Sequence, residues 1–283
     1  MAHIGEIEYH FVNDGISWAD GGGAFGLVPR TIWQKILPPD EYNRVPLYLN
    51  CLLLKAGGKT ILIDTGLGNK LTPKQTANMG LDRSHGTLLD NLARLGLAPA
   101  DIDLVINTHL HADHCGGNTT VDPDSGQTVP TFPNAEYWIQ RLEWADASLP
   151  NERTRATYLP ENYEPLQKSS SLKLLAGDTP VVPGVSLVIT RGHTRAHQSV
   201  LIESNGHFGF YVGDLASLSY HFERTAWVTA YDVEPLETIE TKRRWQQWAV
   251  ATGAVVMFEH DPHIKAATLH PDGRHFKLRP LNF

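Results

Sequence analysis

Two apolar segments, residues 48–55 and 60–64, are rich in branched side chains and flank the pair Gly57-Gly58. Apolar segments of this length around a glycine turn are typical of a β-hairpin. Residues 199–203 and 208–212 repeat the pattern around Asn205-Gly206. The hydrophobic pattern therefore predicts two hairpins in different parts of the chain.

Helical spacing is found in two other segments. Leu88, Leu92 and Leu95 share one helical face, and Gly96 follows them as a stop signal. Residues 235–252 form a longer helical pattern that Gly253 closes. Its apolar positions share roughly one face and are Leu236, Ile239, Trp245, Trp248 and Ala249. Short strands that alternate with helices indicate an α/β fold.

Four of the apolar strand patterns end in a side chain that could bind a metal ion. The strands are predicted at residues 103–108, 185–190, 208–212 and 254–258. The polar residues at these ends are His109, His193, Asp214 and His260. In layered α/β folds, ligands bind beyond the carboxyl ends of strands, where loops converge. The four ends can therefore contribute to one site.

The densest group of candidate ligands is the run Thr108-His109-Leu110-His111-Ala112-Asp113-His114. Alternation places His109 and His111 on the same side of an extended segment, and the following turn can direct Asp113 and His114 elsewhere. This geometry suits two metal ions better than one. If Asp214 bridges, one ion has the ligands His109, His111, His193 and Asp214, and the other has Asp113, His114, His260 and Asp214.

Two further polar residues are expected behind the metal ligands. A ligating imidazole normally donates its second N–H to a fixed acceptor, and Asp64 is a candidate for that acceptor. A turn-forming role before Gly66 fits the pattern of Asp64 equally well. His197 is expected to support the ligands or the local structure rather than to bind metal. Imidazole and carboxylate ligands suit Zn, Mn, Fe, Co or Ni, and zinc is our first expectation.

A pair of divalent ions about 3.5–4 Å apart can activate a bridging water, polarise a carbonyl or phosphoryl oxygen and stabilise the leaving oxygen. We therefore expect an enzyme, a hydrolase in which a metal-bound hydroxide attacks the substrate. Asp214 is then the shared catalytic ligand, and Asp113 is both a ligand and the proton acceptor. The sequence lacks a Gly-x-Ser-x-Gly nucleophile motif, which agrees with a mechanism that uses no side-chain nucleophile.

Composition narrows the class of partner. The 283 residues include 24 Lys and Arg and 31 Asp and Glu, which gives a formal net charge of −7 and an ordinary globular composition. The acidic balance argues against a nucleic acid as the main partner. No apolar segment approaches the roughly 18 residues that cross a bilayer, and residues 1–10 lack the pattern of a signal peptide.

We therefore expect a cytoplasmic protein with no membrane partner, folded as a single domain over residues 1–283. The two cysteines, Cys51 and Cys115, cannot form a disulfide framework, so both are expected to be reduced. The expected partner is a small-molecule substrate. The sequence leaves open whether the protein is a homodimer.

The order and spacing of the candidate ligands resemble the metallo-β-lactamase superfamily of metal-dependent hydrolases. The resemblance spans about residues 48–262. Its motifs are the histidine-rich run with Gly116-Gly117 directly after it, Asp64-Thr65-Gly66, Gly192-His193-Thr194, Gly213-Asp214 and His260. The resemblance implies a four-layer αββα sandwich with a dinuclear site at one edge of two packed sheets. Asp214 matches the bridging position of that site.

A narrower resemblance links the chain to the quorum-quenching lactonases and methyl parathion hydrolases of this superfamily. It rests on residues 20–29, Trp33, residues 43–46, Gly213-Asp214-Leu215, His221, Tyr231-Asp232 and residues 258–262. The N-terminal loop, residues 13–46, is accordingly expected to lie over the active site. The chain departs from the pattern at Ser217, where many N-acyl homoserine lactonases have a tyrosine thought to contact the substrate carbonyl. His221 or Tyr231 could take that polar role.

On the substrate side, Phe25 and Trp33 are expected to form an apolar wall for an acyl chain or an aryl group. Ser217 and His221 are expected to contact the substrate, and His221 is also a candidate catalytic residue. The expected reaction is hydrolysis of a lactone, with N-acyl homoserine lactones among the candidates. On the same metal site, the alternatives are hydrolysis of phosphotriesters or aryl esters and a glyoxalase II-like thioesterase reaction.

Overall fold

Two seven-stranded sheets make up most of the computed structural model, which describes residues 2–273 and 275–281. In spatial order, the first sheet contains β1 (Ala2–Ile4), β2 (Ile7–Asp20), β3 (Arg44–Ala56), β4 (Lys59–Ile63), β5 (Leu104–Ile106), β8 (Glu136–Gln140) and β9 (Leu172–Leu175). The second contains β10 (Thr179–Val182), β11 (Val185–Ile189), β12 (Gln198–Ser204), β13 (His207–Tyr211), β14 (Val255–Met257), β15 (Ala266–Asp272) and β16 (His275–Pro280). A separate ribbon pairs β6 (Thr119–Val121) with β7 (Thr128–Pro130).

Both predicted hairpins are confirmed. β3 pairs with β4 in antiparallel register, and β12 pairs with β13 in the same way. The connecting residues have positive φ angles of 56° and 71° at Gly57 and Gly58, and of 51° and 74° at Asn205 and Gly206. Two-residue turns with both residues in this region match the right-handed twist of the strands they join.

The described helices are short, apart from the last one. They are α1 (Gly21–Phe25), α2 (Arg30–Trp33), α3 (Pro73–Asn78), α4 (Leu88–Arg94), α5 (Ala112–Cys115), α6 (Arg141–Ser148), α7 (Glu164–Lys168), α8 (Ser219–Glu223) and α9 (Pro235–Thr252). The predictions of α4 and α9 are confirmed. Thr87 caps α4 in a capping box with Asp90, and the left-handed Gly253 ends α9. In the part of the chain described, no helix has the length and apolarity needed to cross a membrane.

Three apolar clusters define the order of layers. Between the sheets, side chains such as Leu52 and Ile63 of the first sheet pack with Val200 and Tyr211 of the second. The outer face of the first sheet packs against α4, α6 and α7, and the outer face of the second packs against α9. The four-layer αββα sandwich is therefore confirmed. Cys51 and Cys115 are buried and form no disulfide.

The N-terminal segment differs from the expected loop over residues 13–46. Residues 13–20 belong to the long strand β2, and residues 44–46 begin β3, which pairs with it. The two helices α1 and α2 lie between these strands. A register shift between Asn13 and Ile16 bends β2 and interrupts the alternation of inward- and outward-facing side chains. Because of this interruption, the hydrophobic pattern alone does not predict the strand.

Gly192 shows how closely α9 packs against the segment that carries His193. Its φ angle is 136°, and a Cβ atom at this position would overlap with the side chain and backbone of Thr238 in α9. Gly206 has a φ angle of 74°, but nothing lies within 4 Å of the place where its Cβ would be. An alanine at residue 206 would therefore cause backbone strain alone, whereas an alanine at residue 192 would cause both strain and steric overlap.

We predict that Gly206→Ala lowers the free energy of unfolding by about 1–2 kcal/mol, the usual cost of a left-handed alanine. Gly192→Ala should lower it by about 3 kcal/mol or more, because the steric overlap adds to the strain. Urea unfolding of the metal-loaded protein measures both values. Equal losses in the two variants would contradict the close packing of α9 on this segment.

Candidate metal centre

The four predicted strand ends meet at one edge of the sandwich. In the second sheet, β13 and β14 are parallel, and β11 runs in the same direction because β12 is antiparallel to both of its neighbours. The residues just beyond these three strands are His193, Asp214 and His260. His109 follows β5 of the first sheet. The centre is therefore built from both sheets.

The short helix α5 divides the histidine-rich run into two groups. His111 is the residue before its first turn, and Asp113 and His114 lie within it. One group joins His109, His111 and His193, and the other joins Asp113, His114 and His260. Within each group, the potential ligand atoms lie within 4.8 Å of one another. Apart from Asp214, each group brings together the residues that the sequence analysis assigns to one ion.

The carboxylate of Asp214 lies between the two groups. Its Oδ2 is 3.1 Å from His193 Nε2, and its Oδ1 is 3.3 Å from His260 Nε2. His114 Nε2 lies 3.5 Å from Oδ2. Asp214 is thus in contact with both groups, with Oδ2 near a ring of each group and Oδ1 near His260.

The distances between facing ring nitrogens, and the buried atoms without a hydrogen bond, test whether these residues could bind metal ions. His193 Nε2 is 3.0 Å from His111 Nδ1, and His260 Nε2 is 3.1 Å from His114 Nε2. Ligands 2.0–2.1 Å from a tetrahedral ion are roughly 3.3 Å apart, close to both distances. Among the described residues, the buried His109 Nε2 and Asp214 Oδ1 have no hydrogen-bond partner. A divalent cation in each group satisfies all of these atoms, so the residues fit two ions.

The far nitrogens of the imidazoles have fixed acceptors. His193 Nδ1 lies 2.9 Å from Asp232 Oδ1, and His260 Nδ1 lies 2.8 Å from the Tyr48 carbonyl oxygen. His114 Nδ1 lies 3.1 Å from both Asp64 Oδ2 and Glu259 Oε2. These contacts orient the nitrogens that point into the centre.

Sequence reasoning named Asp64 as such an acceptor but assigned no role to Glu259 or Asp232. Both lie in the motifs of the lactonase branch, next to His260 and Tyr231. In the sequence, each is only a carboxylate next to a residue of the site. Such neighbours are too common to predict a role without the fold.

Asp64 and His197 lie behind the ligand groups. Asp64 has a left-handed φ of 57°, and its carboxylate accepts hydrogen bonds from the Thr108 backbone N–H and hydroxyl, at 2.8 and 2.7 Å. His197 Nε2 accepts the backbone N–H of Asp214 at 3.0 Å. Gly213 makes this approach possible, because a Cβ atom there would be only 2.9 Å from His197 Nε2. Asp64 thus holds the histidine-rich run, and His197 holds Asp214.

Burial determines the charge states of several ligands. It lowers the pKa of His109 and His111 well below the usual value, so both rings are neutral and keep a lone pair for a cation. Burial opposes ionisation of Asp214, but His193 and His260 hold the pKa of its carboxyl well below the usual range. Burial also opposes protonation of His193 and His260, but Asp214 outweighs it and raises the pKa of both rings, that of His260 to about 9. The centre therefore joins the neutral rings of His109 and His111 to a carboxylate that is paired with His193 and His260.

A cleft that is partly open to solvent leads to the ligands. Its lining includes five candidate ligands, which are His111, Asp113, His193, Asp214 and His260. Its apolar wall consists of Ala19, Ala24, Leu47, Leu67, Met79 and Leu218.

Two of the four residues expected to contact substrate line this cleft, and two do not. Ser217 and His221 are part of its lining. Phe25 and Trp33 are buried in the cluster behind Ala24, with their rings stacked at 5.0 Å, and they are not among the lining residues. The expectation that these two form the acyl wall is therefore wrong. Both rings lie in the packed cluster because large aromatic side chains bury more area there than at an open surface. From this position they support the residues that line the cleft.

Backbone hydrogen bonds join the two sheets beside the centre. The Tyr48 N–H donates to the His260 carbonyl oxygen at 3.0 Å, and the Asn50 N–H donates to that of Glu259 at 3.2 Å. Tyr211 of β13 donates its hydroxyl to the Asn50 carbonyl oxygen at 3.0 Å. β3 of the first sheet is thus bonded to the segment that follows β14 of the second.

The sequence matches the metallo-beta-lactamase superfamily over residues 44–261. The chain belongs to this superfamily. The crystal structure of a probable metal-dependent hydrolase from Staphylococcus aureus has a TM-score of 0.90 and 31% identity, covering 100% of this chain and 99% of its own. The dizinc quorum-quenching lactonase AidC, solved with a product, has a TM-score of 0.80 at 22% identity, covering 100% of this chain and 97% of its own.

Among curated members of the superfamily, the N-acyl homoserine lactonase of Bacillus cereus is 28% identical over 247 residues, covering 83% of this chain and 89% of that protein. The N-acyl homoserine lactonase AttM of Rhizobium radiobacter is 27% identical over 232 residues, covering 77% and 82%. The predicted resemblance to the lactonase branch is confirmed. The predicted class of enzyme, a metal-dependent hydrolase, is confirmed as well.

Lys242 of α9 is a fully buried cation near the centre. Its ammonium group donates to the carbonyl oxygens of His221, at 3.0 Å, and of Trp227. Burial lowers the pKa of Lys242 to about 7. The unfolded chain has an ordinary lysine pKa of about 10.4 and therefore binds more protons than the folded chain between these two values.

The free energy of unfolding of the wild type should consequently rise with pH above about 7, relative to that of Lys242→Met. The relative gain should be on the order of 1 kcal/mol per pH unit up to about pH 10. Chemical unfolding of both proteins at several pH values measures the difference. Parallel stability curves would show that Lys242 titrates normally in the folded protein.

Proposed function

We propose that this protein is a lactonase that opens the ring of N-acyl homoserine lactones with the help of two bound divalent ions. The observation that carries the proposal is the position of Asp214, whose carboxylate lies within 3.5 Å of imidazoles from both ligand groups. The first ion would be held by His109, His111, His193 and Asp214, and the second by Asp113, His114, His260 and Asp214.

Divalent ions in such a pair lower the pKa of a bound water and polarise the carbonyl oxygen that is attacked. Zinc is the proposed metal, and the same nitrogen and oxygen ligands also suit Mn, Fe, Co and Ni. The residues around the centre supply orientation and exclude bulk water, because the imidazoles and Asp214 are buried.

Asp113 is the ligand best placed to move a proton. Its side chain lines the cleft and is 34% exposed, whereas that of Asp214 is 9% exposed. Its Oδ2 lies 3.8 Å from His260 Nε2, so the carboxylate is held less tightly than Asp214. In the proposed reaction, Asp113 accepts the proton of the attacking water and returns it to the ring oxygen when the ester C–O bond breaks. Water is added across the bond, and a hydroxy acid leaves.

The cleft suits a substrate with one polar end and one apolar end. Its lining combines candidate ligands with aliphatic side chains such as Ala19, Leu47 and Met79. An N-acyl homoserine lactone would present its ring to the ligands and its acyl chain to the aliphatic side chains. The curated relatives named above are lactonases for this class of compound, which supports the same substrate for this chain.

The metal content tests the ligand assignment. After reconstitution with zinc and desalting, the wild type should retain about two ions per chain, whereas Asp214→Ala should retain less than one, because both ions lose a ligand. His260→Ala should retain about one, since only the second group is affected. Ser217→Ala, which alters the cleft but no ligand, serves as the control. Retention of two ions by Asp214→Ala, measured by elemental mass spectrometry, would overturn the bridging role.

The substrate assignment predicts a rank order of initial rates for the zinc-loaded enzyme. Lactones with apolar acyl chains should be hydrolysed faster than aryl esters and phosphotriesters, whose reacting oxygens the same ions can also stabilise. A thioester and a phosphodiester complete the panel. Rapid cleavage of either of these without any lactone turnover would sink the lactonase assignment and leave the metal centre intact.

The apolar wall predicts a dependence on chain length. Ala19 lines the cleft and is only partly buried, so Ala19→Leu should fill space that a long acyl chain needs. Each lost CH₂ contact costs about 0.8 kcal/mol, so kcat/KM for a decanoyl lactone should fall on the order of tenfold. A butanoyl lactone should be affected little. Leu27→Ala, at a fully exposed position away from the cleft lining, is the control variant. An equal loss for both lactones would place the acyl chain elsewhere.

A further inference from the structure

His221 is a buried polar residue in the cleft whose ring has an unused nitrogen. It lies in α8, its exposure is 1%, and it lines the cleft beside Ala24 and Leu218. Its Nε2 forms no hydrogen bond of normal geometry among the described residues, and the Ala24 backbone carbonyl interacts with the ring only weakly. Buried polar groups in folded proteins are almost always paired, so an unpaired one that lines a cleft points to a ligand.

The other ring nitrogen determines where the proton lies. Leu218 donates its backbone N–H to His221 Nδ1 at 3.3 Å, so Nδ1 acts as an acceptor. Burial, followed by the charge of Lys242, lowers the pKa of His221 to about 3, so the ring is neutral in the ordinary pH range. A neutral imidazole with an accepting Nδ1 carries its proton on Nε2. His221 therefore presents an N–H donor to the cleft.

The orientation of this donor is fixed by the surrounding protein. The Lys242 ammonium group holds the backbone carbonyl of His221 at 3.0 Å, while Leu218 holds Nδ1. The Phe25 ring packs against the imidazole in an edge arrangement, with the ring centres 5.7 Å apart. A donor held in this way needs no rearrangement to bind an acceptor.

The ring packs beside the apolar cluster rather than against the ligand imidazoles. Its contacts are with the Phe25 ring and the Leu218 backbone, whereas the imidazoles of the candidate ligands contact one another. The carbonyl that is attacked belongs at the ligands, where the ions polarise it. An acceptor for His221 must therefore come from another part of the substrate. Tyr231 also lines the cleft, but it is 40% exposed, so solvent can satisfy its hydroxyl.

We propose that His221 Nε2–H donates a hydrogen bond to a second carbonyl oxygen of the substrate, outside the ester bond that is hydrolysed. This inference rests on the proposed lactonase function. It assigns His221 as a residue that selects lactones with an amide-linked acyl chain over lactones with a plain alkyl chain. The amide oxygen is the acceptor, and an alkyl lactone lacks it.

Two substitutions separate the roles of the two ring nitrogens. In His221→Asn, the side-chain oxygen can replace Nδ1 as the acceptor for Leu218, but no donor reaches the position of Nε2. In His221→Gln, the longer side chain brings an amide N–H to that position. The substrates are N-hexanoyl homoserine lactone and an alkyl γ-lactone of matched length, both tested with the zinc-loaded enzyme.

We expect His221→Asn to lower kcat/KM for the N-acyl lactone by about tenfold to a hundredfold, because a buried acceptor is left unpaired. The alkyl lactone should be affected little, and His221→Gln should recover part of the loss. Equal losses for both substrates would place the ring at the reacting ester and overturn the proposal. Unchanged kinetics for both substrates would overturn it as well.

A binding measurement covers the case in which the Asn variant loses its fold or its metal, as judged by thermal unfolding and zinc content. In wild-type protein with ¹⁵N-labelled histidine, the ring-opened product N-hexanoyl homoserine should shift the Nε2–H resonance that is missing from His221→Gln. An unchanged resonance at saturating product would overturn the proposal. If the wild type hydrolyses neither lactone, the proposed function fails, and this titration still decides whether His221 binds the N-acyl group.

Discussion

The carboxylate of Asp214 faces two groups of buried imidazoles, and much of the surrounding structure serves to hold it there. His197 accepts its backbone N–H, and Gly213 provides the space for that contact. The ring nitrogens on either side are 3.1 and 3.3 Å away. A carboxylate at this depth must be matched by positive charge, because burial without compensation is costly. The proposed divalent ions would supply this charge.

The position of the centre at the edge of the sandwich follows from the fold. Three parallel-running strands of the second sheet end at this edge, and β5 of the first sheet ends beside them. The chain beyond these ends is free of the strand hydrogen-bond pattern, so its side chains can converge. The acceptors behind the rings differ in kind: Asp232 is a carboxylate, whereas Tyr48 contributes a backbone carbonyl. His193 and His260 are therefore oriented by different kinds of acceptor, whereas His114 of the second group faces the two carboxylates of Asp64 and Glu259.

The sequence predicted the strand ends because they depend on local periodicity. It grouped the distant His193 and His260 with the histidine-rich run because ligands gather beyond strand ends and because the motifs resemble those of the superfamily. The periodicity of residues 185–190 and 254–258 and the spacing of the histidine-rich run do not need the tertiary structure. Phe25 and Trp33 were placed wrongly because an aromatic residue in a glycine-rich segment can face a cleft or a core equally well. Glu259 was missed for a similar reason. Its contact with His114 joins residues 145 positions apart, and no local pattern reports that contact.

The bonds between β3 and the segment after β14 give the two sheets a shared boundary at the centre. The first sheet and its loop provide His109, His111, Asp113 and His114, and the second provides the remaining ligands. Ions that bind only when both sets are in place favour the associated state of the two halves by mass action. Occupancy of the site then acts as a thermodynamic clamp. The concentration of free metal around the protein would set the cooperativity between the halves of the sandwich, in addition to the rate of hydrolysis.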